Sequence, residues 1–128
     1  MGMTYQAKCN ACGSEFPVDD GGGFSFHMLR CDTCGATKSI GFDKLGDLHL
    51  RYLKGLSGPY CVASADHDRA VRENFEGEPI DREQYHAAVE KKFRRCKCGG
   101  RYRFDAPPRC PDCRSTDIVE GDVTMCYD

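Results

Sequence analysis

Apolar side chains recur along this chain with two different periods, and the change of period divides it into three stretches. Phe24, Phe26 and Met28 alternate with Ser25 and His27, the two-residue repeat of a half-buried strand, entered through the flexible turn Gly21-Gly22-Gly23. The same alternation returns where Tyr102 and Phe104 interleave with Arg101, Arg103 and Asp105. Pro107-Pro108 breaks that second hairpin, and Ile118, Val119, Val123 and Met125 predict a last strand or two closing against it. Between these regions, over roughly 42–95, the spacing is helical. Asp81 and Gln84 form the two halves of a capping box, Ile80 is placed to staple onto Tyr85, and Tyr85, Ala88, Val89, Phe93 and Cys96 fall on one face. This helix runs toward Cys96. A second helix is predicted over about 43–54, capped by Asp43, with Leu45, Leu48, Tyr52 and Leu53 inward and Gly55 as its stop. A shorter one over Ser64 to Phe75 carries Ala70, Val71 and Phe75 and ends by Gly77.

Cysteine changes this picture from a pattern into a chemistry. Eight of the ten cysteines form four knuckles: Cys9/Cys12, Cys31/Cys34, Cys96/Cys98 and Cys110/Cys113. Two thiolates on one tight turn reach one ion, and a second such turn completes a tetrahedron at about 2.3 Å from Zn²⁺. The eighteen residues between Cys12 and Cys31 lie inside the window of a structural zinc site. Gly13 and Gly35 follow the second cysteine of the first two knuckles, where positive φ turns backbone N–H groups toward sulfur. The other pair is less regular: Cys96-Lys97-Cys98 has one intervening residue, eleven residues separate Cys98 from Cys110, and Arg114 stands where glycine is usual. Gly99-Gly100 supply the turn there. Four knuckles allow three pairings. Closing the eighteen-residue loop costs about 1.5 kcal/mol less than closing one near a hundred residues, so pairing of sequence neighbours is the expectation.

The competing use of these cysteines is a disulfide framework, which requires an oxidising compartment. The opening Met1-Gly2-Met3-Thr4-Tyr5-Gln6 shows no basic region, apolar run or myristoylation signal, and no eighteen-residue apolar stretch follows. Metal ligation, no membrane association and a cytoplasmic location are therefore expected. With 14 glycines, 6 prolines and a mean hydropathy of −0.59, each cysteine-rich region has few apolar side chains and needs metal as a staple.

The sequences Cys9-Asn10-Ala11-Cys12-Gly13-Ser14-Glu15-Phe16 and Cys31-Asp32-Thr33-Cys34-Gly35 resemble the two knuckles of a zinc ribbon. Cys98-Gly99-Gly100-Arg101-Tyr102 through Cys110-Pro111-Asp112-Cys113 resembles a second. Zinc ribbons serve transcription factors, ribosomal proteins, topoisomerases and enzyme subunits, and the layout here is most similar to small uncharacterised bacterial zinc-ribbon proteins. The resemblance implies a small metal-stabilised α+β fold: two zinc ribbons with short antiparallel hairpins, 1–41 and 96–128, flanking a central helical segment, 42–95. Two Zn²⁺ ions would be held by Cys9, Cys12, Cys31, Cys34, Cys96, Cys98, Cys110 and Cys113. The second site is also distantly similar to rubredoxin, which implies iron and electron transfer as an alternative. It departs from that family in its Cys-x-Cys knuckle, its missing glycine and its lack of tryptophan.

Outside the knuckles, Cys61 and Cys126 read as small buried apolar residues. A nucleophilic Cys61 with His67 or His86 as base would make a small cysteine-dependent enzyme, although no orienting carboxylate stands at a recognisable spacing. The histidines His27, His49, His67 and His86 have no ligand spacing and read as surface or partly buried residues. Lys91, Lys92, Arg94, Arg95, Lys97, Arg101 and Arg103, interleaved with Phe93, Tyr102 and Phe104, form an acid-free run suited to phosphates and stacked bases. Equally, those cations would offset the charge of a four-thiolate centre, or favour a helix C-terminus. The formal charge of −2 would become about −6 with two such centres, so any polyanion contact must be local. The expected role is a non-catalytic structural or adaptor module touching protein or nucleic acid, with closed four-sulfur sites that leave no position for a reactive water.

Overall fold

The computed structural model describes residues 2–127. It is a small α+β fold of two three-stranded antiparallel sheets and three helices. The first sheet has the order β2-β1-β6, from β1 (Gly2–Cys9), β2 (Glu15–Asp20) and β6 (Ile118–Tyr127). The second has the order β4-β3-β5, from β3 (Phe26–Cys31), β4 (Thr37–Gly41) and β5 (Tyr102–Arg103). Helices α1 (Asp47–Gly55), α2 (Ala65–Asn74) and α3 (Arg82–Lys92) lie between β4 and β5 in the chain.

Strand β6 does not close against the Tyr102 strand. It pairs along the length of β1, from Gly2 opposite Tyr127 to Cys9 opposite Ile118, and so ties the two ends of the chain together. Bulges near Tyr5 and Ala7 absorb a register slip. Beside them Gly121 is required, since a Cβ there would stand 2.8 Å from the Gln6 carbonyl oxygen. Tyr5, Ala7 and Cys9 of β1 point inward with Phe16 and Val18 of β2 and with Cys110, and Ile118 packs against them.

The second core joins Leu29 and Ile40 of the β3–β4 hairpin to Leu45, Tyr52, Tyr85 and Val89 of the helical region. Here the inward face of β3 is opposite to the one the Phe24, Phe26, Met28 alternation predicts: His27, Leu29 and Cys31 are buried, Phe26 and Met28 only partly, and Phe24 is exposed. The buried Cys31 and Leu29 set the phase, and His27 follows because its ring nitrogen meets a buried hydroxyl.

The Asp81 capping box forms, with Gln84 N–H donating to Asp81 Oδ1 at 2.7 Å and Asp81 N–H to Gln84 Oε1 at 3.2 Å. Helix α1 begins later than predicted. Asp43 lies in a 3-10 turn, Phe42–Lys44, and Gly46, at φ 54° and ψ −130°, breaks the chain direction before Asp47. Ser64 precedes α2 without capping it, its hydroxyl donating instead to Asp68.

Candidate metal centres and a basic groove

All four knuckles are one backbone device. In each, the N–H of the residue after the second cysteine donates to the carbonyl of the first: Gly13 to Cys9 at 2.9 Å, Gly35 to Cys31 at 3.1 Å, Gly99 to Cys96 at 3.0 Å and Arg114 to Cys110 at 2.8 Å. The first cysteine's own N–H then bonds the carbonyl one residue further on, at Ser14, Ala36, Gly100 or Ser115. The closing residue has positive φ every time, 79°, 78°, 92° and, for Arg114, 64°. Cys96-Lys97-Cys98 makes the same turn one residue tighter.

The knuckles do not pair with their sequence neighbours. Cys9, Cys12, Cys110 and Cys113 form one group and Cys31, Cys34, Cys96 and Cys98 the other, each with its sulfurs within 4.8 Å of one another. The second group is nested inside the loop that the first closes. The β1–β6 ladder accounts for this, because it carries Cys9 and the Cys110–Cys113 turn to the same end of one sheet, a gain that outweighs the ~1.5 kcal/mol of loop entropy. The inner centre forms where β3 ends and where the chain leaves α3, since Asp32 N–H donates to the Arg101 carbonyl at 2.9 Å and Arg101 N–H to Asp32 Oδ1 at 3.0 Å.

Sulfur separations test whether a metal fits. The contacts Cys9–Cys113, Cys12–Cys110 and Cys31–Cys98 are 3.5 Å and Cys34–Cys96 is 3.6 Å. A disulfide needs about 2.05 Å, and all ten cysteines are free. A tetrahedron of 2.3 Å bonds has edges of about 3.8 Å, so both groups could hold a metal ion with small adjustment. Backbone N–H groups already point at sulfur in the inner centre, Thr33 and Cys34 toward Cys31 and Gly100 toward Cys98, at 3.4–3.5 Å. Crowded thiols also compete for protons. Hydrogen bonds with Ser14 bring Cys12 down to about 6. The Ser115 N–H works to lower Cys113, but hydrogen bonds to Cys9, Cys12 and Cys110 together with burial push it up to about 12. In the inner centre the Cys98 N–H lowers Cys96 to about 6 and burial raises Cys34 to about 12. A divalent cation removes the competition by stabilising thiolate at all four positions.

The cationic run divides. Lys91, Lys92, Arg94 and Arg95 line a groove of about 470 Å³ with Phe93 and with Lys38 of β4. Lys38 was not visible in the sequence as a member, and its Nζ sits 5.7 and 5.3 Å from the Phe93 and Tyr102 ring centres. Arg101 and Arg103 belong to an adjoining groove with Lys91, Arg94 and Glu90. Arg103 is engaged by Asp32 at 3.2 Å. Lys97 is exposed on its knuckle and lines neither groove.

Two histidines differ from the sequence expectation. His27 and His49 are buried on either side of Tyr85, with His27 Nε2 at 2.7 Å and His49 Nδ1 at 3.2 Å from its hydroxyl. Burial lowers both pKa values to about 4 and raises that of Tyr85. Each is held as a neutral ring. Cys61 is half-buried, not buried as expected; it contacts the Ser64 hydroxyl at 3.2 Å, and no hydrogen bond joins it to His67 or His86 among the described residues. His67 Nδ1 instead faces Asp68 at 3.2 Å, and His86 stacks on Phe104. Cys126 is exposed, not buried as expected, and stands outside both sulfur groups.

Compared with known proteins, residues 5–119 match the family described as Domain of unknown function (DUF8255), and the chain belongs to that family. No curated protein and no solved structure matches. No helix among the described residues is long and apolar enough to cross a membrane.

Proposed function

We propose that the protein is a non-catalytic module in which two structural zinc ions position a basic groove for single-stranded nucleic acid. The groove walled by Lys38, Lys91, Lys92, Arg94 and Arg95 around Phe93, with no acidic residue among its lining, is the observation that carries this reading. Five cations beside an aromatic ring match what a phosphate backbone with unstacked bases requires. The metal centre contributes indirectly. Cys96 fixes the chain a few residues beyond α3, and the Arg95–Arg101 bridge holds that exit against the following strand, so the cations are displayed from an anchored segment. Four sulfurs at tetrahedral spacing suit zinc or iron equally by geometry. Zinc is favoured because the centres act as closed clasps between chain segments, a structural role that a redox-inert ion fills. Colourless protein carrying two zinc ions by native mass spectrometry is the expected result, and thiolate-to-iron absorption would reverse the metal assignment.

Binding of a labelled oligonucleotide tests the groove. If all five cations meet phosphates, log K against log salt has a slope near −3.5 on a single strand, from ~0.7 per contact. Lys91→Glu with Arg94→Glu weakens binding by more than tenfold and flattens the slope while metal content is unchanged. Affinity indifferent to salt, or no binding by the two-zinc protein, refutes the nucleic-acid assignment.

A further inference from the structure

A second cleft carries charge of the opposite sign. It has a volume of about 380 Å³, within the range of small-molecule sites. Phe42, Leu50, Leu53 and Tyr60 supply apolar wall, and three carboxylates, Asp43, Asp47 and Asp68, line it with His67, whose Nδ1 faces Asp68, and with no lysine or arginine. Asp68 is a fixed anion, 1 % exposed, and accepts from the Tyr60 N–H and the Ser64 hydroxyl at 2.7 Å each. Asp43 and Asp47 are exposed and enter no salt bridge among the described residues.

His49 is the independent sign that the cleft receives something. Its side chain is only 6 % exposed, its ring stacks on Phe42 at 3.9 Å, and its Nδ1 is taken by Tyr85. Its other nitrogen, Nε2, has no hydrogen-bond partner among the described residues, and it is not among the polar atoms sealed from solvent. His49 is thus a nearly buried ring that lines the cleft and has one nitrogen without a protein partner among the described residues, which a ligand there can take.

We propose that this cleft binds a small organic cation, an ammonium group carried on an aromatic body. The apolar walls take the ring, and Phe42 and Tyr60, which meet each other edge to face at 5.5 Å between centroids, form its aromatic corner. Aromatic faces attract a cation, and Asp43 and Asp47 add the charge that selects it. An anion of the same shape meets the exposed carboxylates of Asp43 and Asp47 and is rejected. A neutral analogue keeps the apolar contact and loses the charge. His49 Nε2 offers the ligand one directional hydrogen bond.

Titration of the two-metal protein with phenethylamine, 2-phenylethanol and phenylacetate, three probes of nearly one skeleton, tests the assignment by amide and His49 ring chemical shifts. Phenethylammonium is expected to give saturable shifts around Phe42, His49 and Tyr60, 2-phenylethanol to bind about tenfold more weakly, and phenylacetate not to saturate. Asp43→Asn with Asp47→Asn is expected to weaken phenethylammonium about tenfold while the protein keeps its metal content and native amide spectrum, both residues being exposed and Asp47 contributing only a first-turn charge to α1. Leu50→Trp, which fills the cleft, removes binding, and retained metal content with a native amide spectrum shows that the variant folds. Equal affinity for the three probes, no saturation by any of them in the millimolar range, or binding that survives the double asparagine variant unchanged overturns the proposal.

Discussion

The outer centre, Cys9, Cys12, Cys110 and Cys113, and the inner one, Cys31, Cys34, Cys96 and Cys98, share a donor set and a turn but not a setting. Behind the outer centre lies a small cluster, of which two members, Cys9 and Cys110, belong to the sulfur group itself. The inner centre borders a core that holds Leu29, Ile40, Tyr52, Tyr85 and Val89 and recruits eight partly buried apolar residues around them. An ion held at each would therefore do unequal structural work: the outer one would substitute for a core, and the inner one would add to one.

Metal removal gives the largest expected effect. Loss of a structural zinc withdraws on the order of 10 kcal/mol from a small metal-folded module. In stepwise chelation followed by hydrogen exchange, amides of β1 and β6 should lose protection first, and those of α1 and α3 should persist at least in part. Simultaneous loss in both regions would show that the two centres form one cooperative unit. Cys110→Ser should reproduce the outer pattern alone, because that sulfur is fully buried within the smaller cluster.

Next in size is Tyr85→Phe, which leaves the ring stack on Tyr52, 4.0 Å between centroids, and deletes the hydroxyl shared by His27 and His49. Two buried ring nitrogens lose their partner, so urea unfolding should report a loss of about 3 kcal/mol. A loss under ~1 kcal/mol would mean that water replaces the hydroxyl. The change should leave β1–β6 exchange untouched, which sharpens the contrast between the two cores.

The knuckles were legible in the sequence because a thiolate pair on a tight turn is local chemistry. Their partners were not, since loop entropy separates the pairings by only ~1.5 kcal/mol and the deciding ladder runs from Gly2 to Tyr127, between strands at opposite ends of the chain. The α3 cap and its inward Tyr85 and Val89 were local too, and they form. Burial of His27 depends on a hydroxyl 58 residues away. An alternation rule that treats histidine as polar therefore assigned β3 the wrong face. Lys38 joins the basic groove only because β4 lies beside Phe93 and Tyr102, a proximity that spacing does not encode.

The same histidines make the larger core sensitive to acid. For His27 burial is the main cause of the fall from 6.5 to about 4, with His49 and His86 adding like-charge repulsion. For His49 burial again leads, and Asp68 opposes it while His67 reinforces it. Both folded values lie below the unfolded one, so the unfolded chain binds more protons between pH 6.5 and 4. Stability is intact above about pH 6.5 and falls toward pH 4, by on the order of 3 kcal/mol for each ring. Because thiolate protonation releases metal over an overlapping range, the clean readout is the imidazole titration itself by NMR at constant metal occupancy. A midpoint near 6.5 for either ring would contradict its burial.

Smallest, and of opposite sign, is the effect of restoring glycine to the fourth knuckle. Gly13, Gly35 and Gly99 occupy the closing position of the other three, whereas Arg114 holds φ 64° there with a Cβ. That conformation costs a non-glycine residue about 1–2 kcal/mol, and glycine returns part of the gain through its freer unfolded chain. Arg109 bonds the Arg114 carbonyl at 2.9 Å, a contact that any residue at 114 preserves. Arg114→Gly should therefore stabilise the outer centre by about 0.5–1 kcal/mol, read as a higher midpoint for metal release from Cys9, Cys12, Cys110 and Cys113 with the inner centre unmoved. A lower midpoint would show that the exposed arginine side chain itself supports the outer thiolates, as a cation beside a net negative four-sulfur site can. The outer centre, with the smaller core behind it, is the one where so slight a change in the turn is expected to be measurable.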